Sequence, residues 1–168
     1  MQIRLAKEKD LPQIRTIYDA AKSYMDASGN PNQWGAGYPP EEYLREDIFL
    51  SRLYVCEEED ILHGVFLFAV TDDPTYHYIE GAWLNDEPYG VIHRIASDGV
   101  KKGIFRMVEE FCKEKMAEQN VTNLRIDTHE DNKTMQHLVE KCGFERCGII
   151  YLANGSPRIA YQLVIKCR

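Results

Sequence analysis

Residues 91–105 carry the side chains whose spacing points most directly to chemistry. An apolar strand ends in Ile95, Ala96 and Ser97; a turn holds Asp98, Gly99, Val100, Lys101, Lys102 and Gly103. A helix follows, because Ile104, Met107, Val108, Phe111 and Cys112 recur at helical spacing. The positive end of a helix dipole favours acidic residues in the first turn, yet Lys101 and Lys102 stand there. A bound anion resolves that mismatch. Amides freed by the turn, the dipole and the two lysines together form a phosphate cradle. A solvated lysine pair in an ordinary strand-to-helix turn fits the same residues.

The elements that must position this turn are legible along the chain. Residues 2–6 suit a first strand. Asp10, Leu11 and Pro12 open a helix whose apolar stripe is Leu11, Ile14, Ile17, Tyr18, Ala21 and Met25. Residues 28–40, rich in Gly, Pro and Asn, end it and carry Trp34 and Tyr38 at the surface. A short helix from residue 40 or 41 to 50 precedes a predicted hairpin of strands 53–57 and 62–70, in which Gly64 marks a bulge or a close backbone approach. Alternation over 76–82 suggests another strand, then a loop at 85–88 leads to the strand before the turn. Residues 123–128 read as a strand, and Glu130 or Asp131 as the cap of a helix that Cys142, Gly143 and Phe144 stop near residue 141. Strands 145–152 and 158–165 close the chain around the turn Asn154, Gly155, Ser156 and Pro157. The order β-α-α-β-β-β-β-α-β-α-β-β predicts an α+β fold, a mixed sheet flanked by helices.

The 168 residues fit one domain spanning 1–168, with the 44% hydrophobic and 28% charged composition of a soluble globular protein. A net charge of −7 argues against nucleic-acid or anionic-membrane binding. Charges begin at Arg4 and no apolar run is long enough to cross a bilayer, so a cytoplasmic protein is expected. Cys56, Cys112, Cys142, Cys147 and Cys167 are odd in number and lie inside patterned elements, which suits reduced thiols. None of their spacings is that of a zinc site, and no metal is expected. A dinucleotide-binding Rossmann fold is disfavoured because no G-x-G-x-x-G follows the first strand, and a P-loop because the lysines do not precede Ser or Thr.

The element order and the cradle, with the strand at 125–128, Asn132 leading a helix, and the Gly143-Phe144 ending, together resemble the GNAT superfamily of acetyl-CoA-dependent N-acetyltransferases. The resemblance covers essentially the whole chain and implies a GNAT-like fold with a central, mostly antiparallel sheet. In that family a Q/R-x-x-G-x-G/A run holds the CoA pyrophosphate by its backbone. The matching run here is Val100, Lys101, Lys102, Gly103, Ile104 and Phe105, with Val100 replacing the Gln or Arg and Phe105 the final small residue. The resemblance also implies that Asn132 contacts the pantetheine arm or its ordered water, and that backbone groups near Ile95, Ala96 and Ser97 face the thioester and pantetheine. Val139 stands where many members place a tyrosine general acid.

Acetyl transfer to an amine needs loss of a proton from a group whose ordinary pKa is about 10, donors for the developing oxyanion, and help for the departing thiolate. Following the resemblance, Glu80 is the preferred general base and His93, on the cradle strand, the second candidate. Tyr151 is the substitute acid, with Cys147 behind it. Trp34 and Tyr38 would lie over the acceptor, packing on it, on a partner chain, or on the core. The expected activity is transfer of an acetyl group from acetyl-CoA to a primary amine of a small molecule or peptide. Two rivals remain: a CoA-binding or regulatory module without turnover, and a protein whose aromatic loop is an interaction surface. A homodimer is compatible with the family.

Overall fold

The computed structural model describes residues 1–166; Cys167 lies outside them. The described chain forms eight strands and four α-helices and divides into two compact units. The first comprises Met1–Phe68 and His93–Glu109, the second Ala69–Ile92 and the chain from Glu110 onward.

In the first unit, strands β1 (Gln2–Leu5), β2 (Leu53–Glu58) and β3 (Ile61–Val70) pair antiparallel, and the end of β5 (Tyr89–Ser97) follows β3. Helices α1 (Leu11–Ala27) and α2 (Glu41–Phe49) belong to this unit, as does the start of α3 (Ile104–Ala117). The expected stripe of α1 is largely buried, with Ile14 and Tyr18 fully so. The predicted hairpin is present, and Glu59 and Asp60 both take positive φ (51° and 63°) in its two-residue turn. That turn geometry follows the natural twist of paired strands. The expected irregularity falls beside Gly64, where His63 is the extra residue, and side chains crowd the glycine itself. The β2–β3 register shifts at Cys56 and Glu57, opposite it. A Cβ on Gly64 would also lie 3.0 Å from Ile104 Cγ2 and 3.2 Å from Cys56 Sγ. Burial pushes the Cys56 thiol up to about 12, so it is unreactive.

In the second unit the strand order is β5, β6 (Asn123–Thr128), β8 (Pro157–Val164), β7 (Glu145–Tyr151) and β4 (Glu80–Gly81). Among the described residues of this unit only the β5–β6 ladder is parallel, over three pairs from Tyr89 with Asn123 to Val91 with Arg125; the ladders of β8 and β7 are antiparallel. A helical crossover, α3, joins the parallel pair as parallel strands require. These are the mixed, mostly antiparallel sheet and flanking helices expected. Helix α4 (Lys133–Lys141) ends at Gly143, whose φ is +87°.

Two expectations need correction. The strand predicted over 76–82 shrinks to Glu80 and Gly81. Pro74 opens a 3-10 turn ending at Tyr76, the Asp73 side chain accepts from the Thr75 N–H (2.9 Å), and Trp83 Nε1 donates to the Tyr76 carbonyl (2.9 Å). Side chains thus satisfy backbone groups that a ladder would have used. The cap of α4 is Asn132 rather than Glu130 or Asp131, its Oδ1 accepting from the Met135 N–H at 3.0 Å. Among the described residues, no helix is long and apolar enough to cross a membrane.

The first unit is tied at its start by Arg4, which donates to Asp10 (2.7 Å) and Glu57 (2.6 Å). Bonds from Arg4 and then Gln2 hold the Glu57 carboxyl down to about 2. A depressed carboxyl stabilises the fold fully above its ordinary value of about 4.3, and that contribution fades as pH falls through the folded value. Urea unfolding of the wild type should therefore weaken more between about pH 5 and pH 2 than that of Glu57→Gln. Equal slopes for the two proteins would remove this role.

Candidate active site

The cradle lies in the first unit, between β5 and α3. Gly99 and Gly103 turn the chain with φ of +76° and +79°, a conformation that costs other residues energy. A Cβ on either would meet nothing within 4 Å, so the backbone faces open space. Val100 projects outward, and Ile104 and Phe105 turn their side chains into the core. Phe105 therefore leaves room for a ligand on the backbone, and the cradle fits a pyrophosphate. Helix α3 has no acidic residue in its first turn. Lys101 does not stand free: it pairs with Glu58 at the end of β2. Lys102 is exposed. The Val100 N–H donates to Asp98 Oδ1 (2.9 Å), whose other oxygen meets His63 Nδ1 at 2.7 Å.

Upstream in β5, Arg94 takes φ of +49°, rare for a residue with a side chain and a local strain within a strand. Several partners hold it there. Its guanidinium pairs with Asp47 of α2, the Tyr38 hydroxyl bonds the same side chain, and its carbonyl accepts from Tyr18 Oη (2.8 Å). Arg52 Nε also donates to Asp47 (2.8 Å), so one buried carboxylate serves two guanidinium groups. Trp34 stands edge-on to Tyr18 with centroids 5.6 Å apart, and 5.8 Å from Tyr38. Both predicted loop aromatics are half-buried in this cluster. His93, the neighbour of Arg94, is half-buried in the same unit, as are Ile95 and Ser97, whereas Ala96 is buried.

Glu80 and Tyr151 lie together in the second unit. Glu80 lies close enough to the Tyr151 hydroxyl for its carboxylate to raise the phenol's pKa. Tyr78 adds a tilted ring 6.4 Å from that of Tyr151. The position of Glu80 depends on two glycines. A Cβ on Gly148 would lie 2.1 Å from the Glu80 carbonyl oxygen, and one on Gly81 2.2 Å from that of Cys147. Asn132 is buried at the head of α4, and Val139 is fully buried, so Val139 is a core residue. The structure thus brings together Glu80 with Tyr151, and Trp34 with Tyr38. Arg94, Asp47, Asp98 and His63 were not anticipated. An arginine inside an otherwise apolar strand and an Asp-Gly pair at a turn are the signals that could have found two of them.

A parallel strand pair joined through a glycine-turned cradle, beside antiparallel strands, defines an acyl-CoA acyltransferase architecture. The model of the acetyltransferase (GNAT) family matches residues 13–144, and the chain belongs to that family. Among solved structures it is similar to a GNAT-family acetyltransferase from Streptococcus agalactiae 2603, with 31% identity and a TM-score of 0.84 over 99% of this chain and 96% of that one. A structure from Staphylococcus aureus Mu50 shares 26% identity at a TM-score of 0.75, covering 99% and 100%. The ribosomal-protein-S18-alanine N-acetyltransferase of Escherichia coli, 16% identical over 99% and 95% at a TM-score of 0.67, shares the fold. No curated protein matches the sequence.

The two glycines give a direct test. Gly148→Ala should destabilise the protein by roughly 2–4 kcal/mol, from overpacking and a strained φ. Hydrogen exchange of the Ala82 amide, bonded to the Cys147 carbonyl at 3.1 Å, should accelerate. An unchanged exchange rate would mean that β4 does not depend on this contact.

Proposed function

We propose that residues 1–168 act as one N-acetyltransferase domain, moving an acetyl group from acetyl-CoA to a primary amine of a small molecule or peptide by direct attack. The observation that carries this reading is the cradle, open above Gly99 and Gly103 and cleared of the Phe105 side chain. Backbone amides from Lys101 to Phe105 hold the pyrophosphate, and Lys102 adds charge. Bound acetyl-CoA supplies the acetyl thioester. The positive φ of Arg94 supports assigning backbone groups of Ile95, Ala96 and Ser97 to the thioester arm, while membership of the family supports assigning Asn132 to the pantetheine.

Glu80 is exposed, so it acts as a relay. A carboxylate beside the acceptor takes the ammonium proton and passes it to water. Tyr151 lies beside Glu80, whose negative charge keeps the phenol protonated at neutral pH. A phenol of raised pKa is a weak acid for a thiolate, so Tyr151 orients Glu80 more than it protonates the leaving group. Trp34 and Tyr38 flank the acceptor, and His93 is the alternative base. Proximity and oriented donors supply most of the acceleration.

A second reading draws on Val139. With the family's tyrosine position filled by a core valine, the chain would bind CoA without turnover. Acetyl-CoA binding with no transfer across a panel of primary amines would select it.

Calorimetry should show acetyl-CoA binding in the micromolar range. The Lys101→Ala, Lys102→Ala double variant should weaken it by roughly tenfold. Absence of binding by folded wild type would overturn the acetyltransferase reading. Once an acceptor is found, Glu80→Gln should lower kcat/KM by about 100-fold and Tyr151→Phe by less than about tenfold. A full-rate Glu80→Gln enzyme would shift the base to His93.

A further inference from the structure

The β2–β3 hairpin grips the cradle at both ends and in the middle. At the exit, Ile104 packs on Gly64. In the middle, Glu58 pairs with Lys101. At the entrance, Asp98 is fastened to His63 twice: its N–H donates to the His63 carbonyl (3.1 Å), and its carboxylate meets His63 Nδ1 (2.7 Å). The same carboxylate fixes the Val100 N–H inside the loop (2.9 Å).

His63 is 6% exposed, so this fastening is sheltered from water. An ionised carboxylate only accepts hydrogen bonds, which places a proton on His63 Nδ1 whatever the state of Nε2. Charge alone makes Asp98 a poor choice beside a phosphate. A negative group there opposes the ligand, and its presence is explained by the loop geometry it enforces. Both of its oxygens are occupied, one by the histidine and one by the loop's own amide.

We propose that His63 and Asp98 are positioning residues for the CoA pyrophosphate, holding the cradle in its binding shape before the ligand arrives. This rests on the acetyl-CoA reading above. A preorganised loop does not lose ordering entropy on binding, so its release appears as weaker affinity.

Calorimetry with acetyl-CoA on the full chain separates shape from charge, because the two predict opposite signs. If Asp98 matters for shape, Asp98→Ala weakens binding on the order of tenfold. If only its charge matters, the same variant binds more tightly. Asp98→Asn keeps an acceptor for the Val100 N–H, and a neutral His63 ring that shifts its proton to Nε2 accepts from the new amide at Nδ1, so this variant should bind within about threefold of wild type. His63→Ala should weaken binding as Asp98→Ala does, and the double variant no further, since the pair acts as a unit. Thermal melts accompany each variant, and if an alanine variant fails to fold, Asp98→Asn beside His63→Gln carries the comparison. Wild type that fails to bind acetyl-CoA overturns the functional reading and this one with it. Wild type that binds, with Asp98→Ala equal or tighter or with additive losses, overturns this inference alone.

Discussion

The first unit depends on the carboxylate of Asp47, with 1% of its side chain exposed. A buried charge is sustained only by partners, and Asp47 has two: Arg94 and Arg52. Through them α2 is joined to the residue before β2 and to the middle of β5. The pair with Asp47 accompanies the unusual backbone conformation of Arg94 and opposes its strain. The loop aromatics reach the same place, since Tyr38 bonds the Arg94 side chain and Tyr18 its carbonyl. The middle of β5, helix α2 and the aromatic loop are thereby gathered around one acidic group.

The second unit solves a related problem without an acid. Arg125 is buried between the rings of Trp83 and Tyr89, its guanidinium 4.1 Å and 3.9 Å from their centroids. Burial lowers its pKa. The aromatic faces stabilise the cation, and the Asn85 carbonyl takes one of its donors at 2.9 Å. Gln162 links this site to Asn123 (3.0 Å) and to the Leu84 N–H (3.1 Å). The approach to β5 is therefore held by polar and aromatic contacts, although its sequence looks like an ordinary loop.

What could be read in the sequence follows from which forces are local. Apolar periodicity and glycine placement gave α1, α3, the β2–β3 hairpin, the end of α4 and the final hairpin, because each rests on contacts within a few residues. The segment from Tyr76 to Ala82 has strand-like alternation, but its fate was decided by distant groups. The Tyr76 hydroxyl reaches Asp127 at 2.7 Å, fifty-one positions along the chain. The site divides in the same way. Gly99, Gly103 and the lysines advertise the cradle, whereas the Asp98–His63 bond joins residues thirty-five apart and leaves no mark in a single sequence. Asn132 was singled out as a ligand contact, yet its capping bond is local and was missed for its acidic neighbours.

The Glu58–Lys101 pair bears on how the cradle answers ionic strength. Its side chains are 36% and 38% exposed, so salt screens their attraction. Salt also weakens the pull of any lysine on a phosphate. In this protein the two effects oppose each other, because ions that screen the ligand also loosen Glu58 and release Lys101. The loop thus carries an internal counter-charge, and under the proposed acetyl-CoA reading its hold on the polyphosphate would fall less steeply with salt than that of two unpaired lysines.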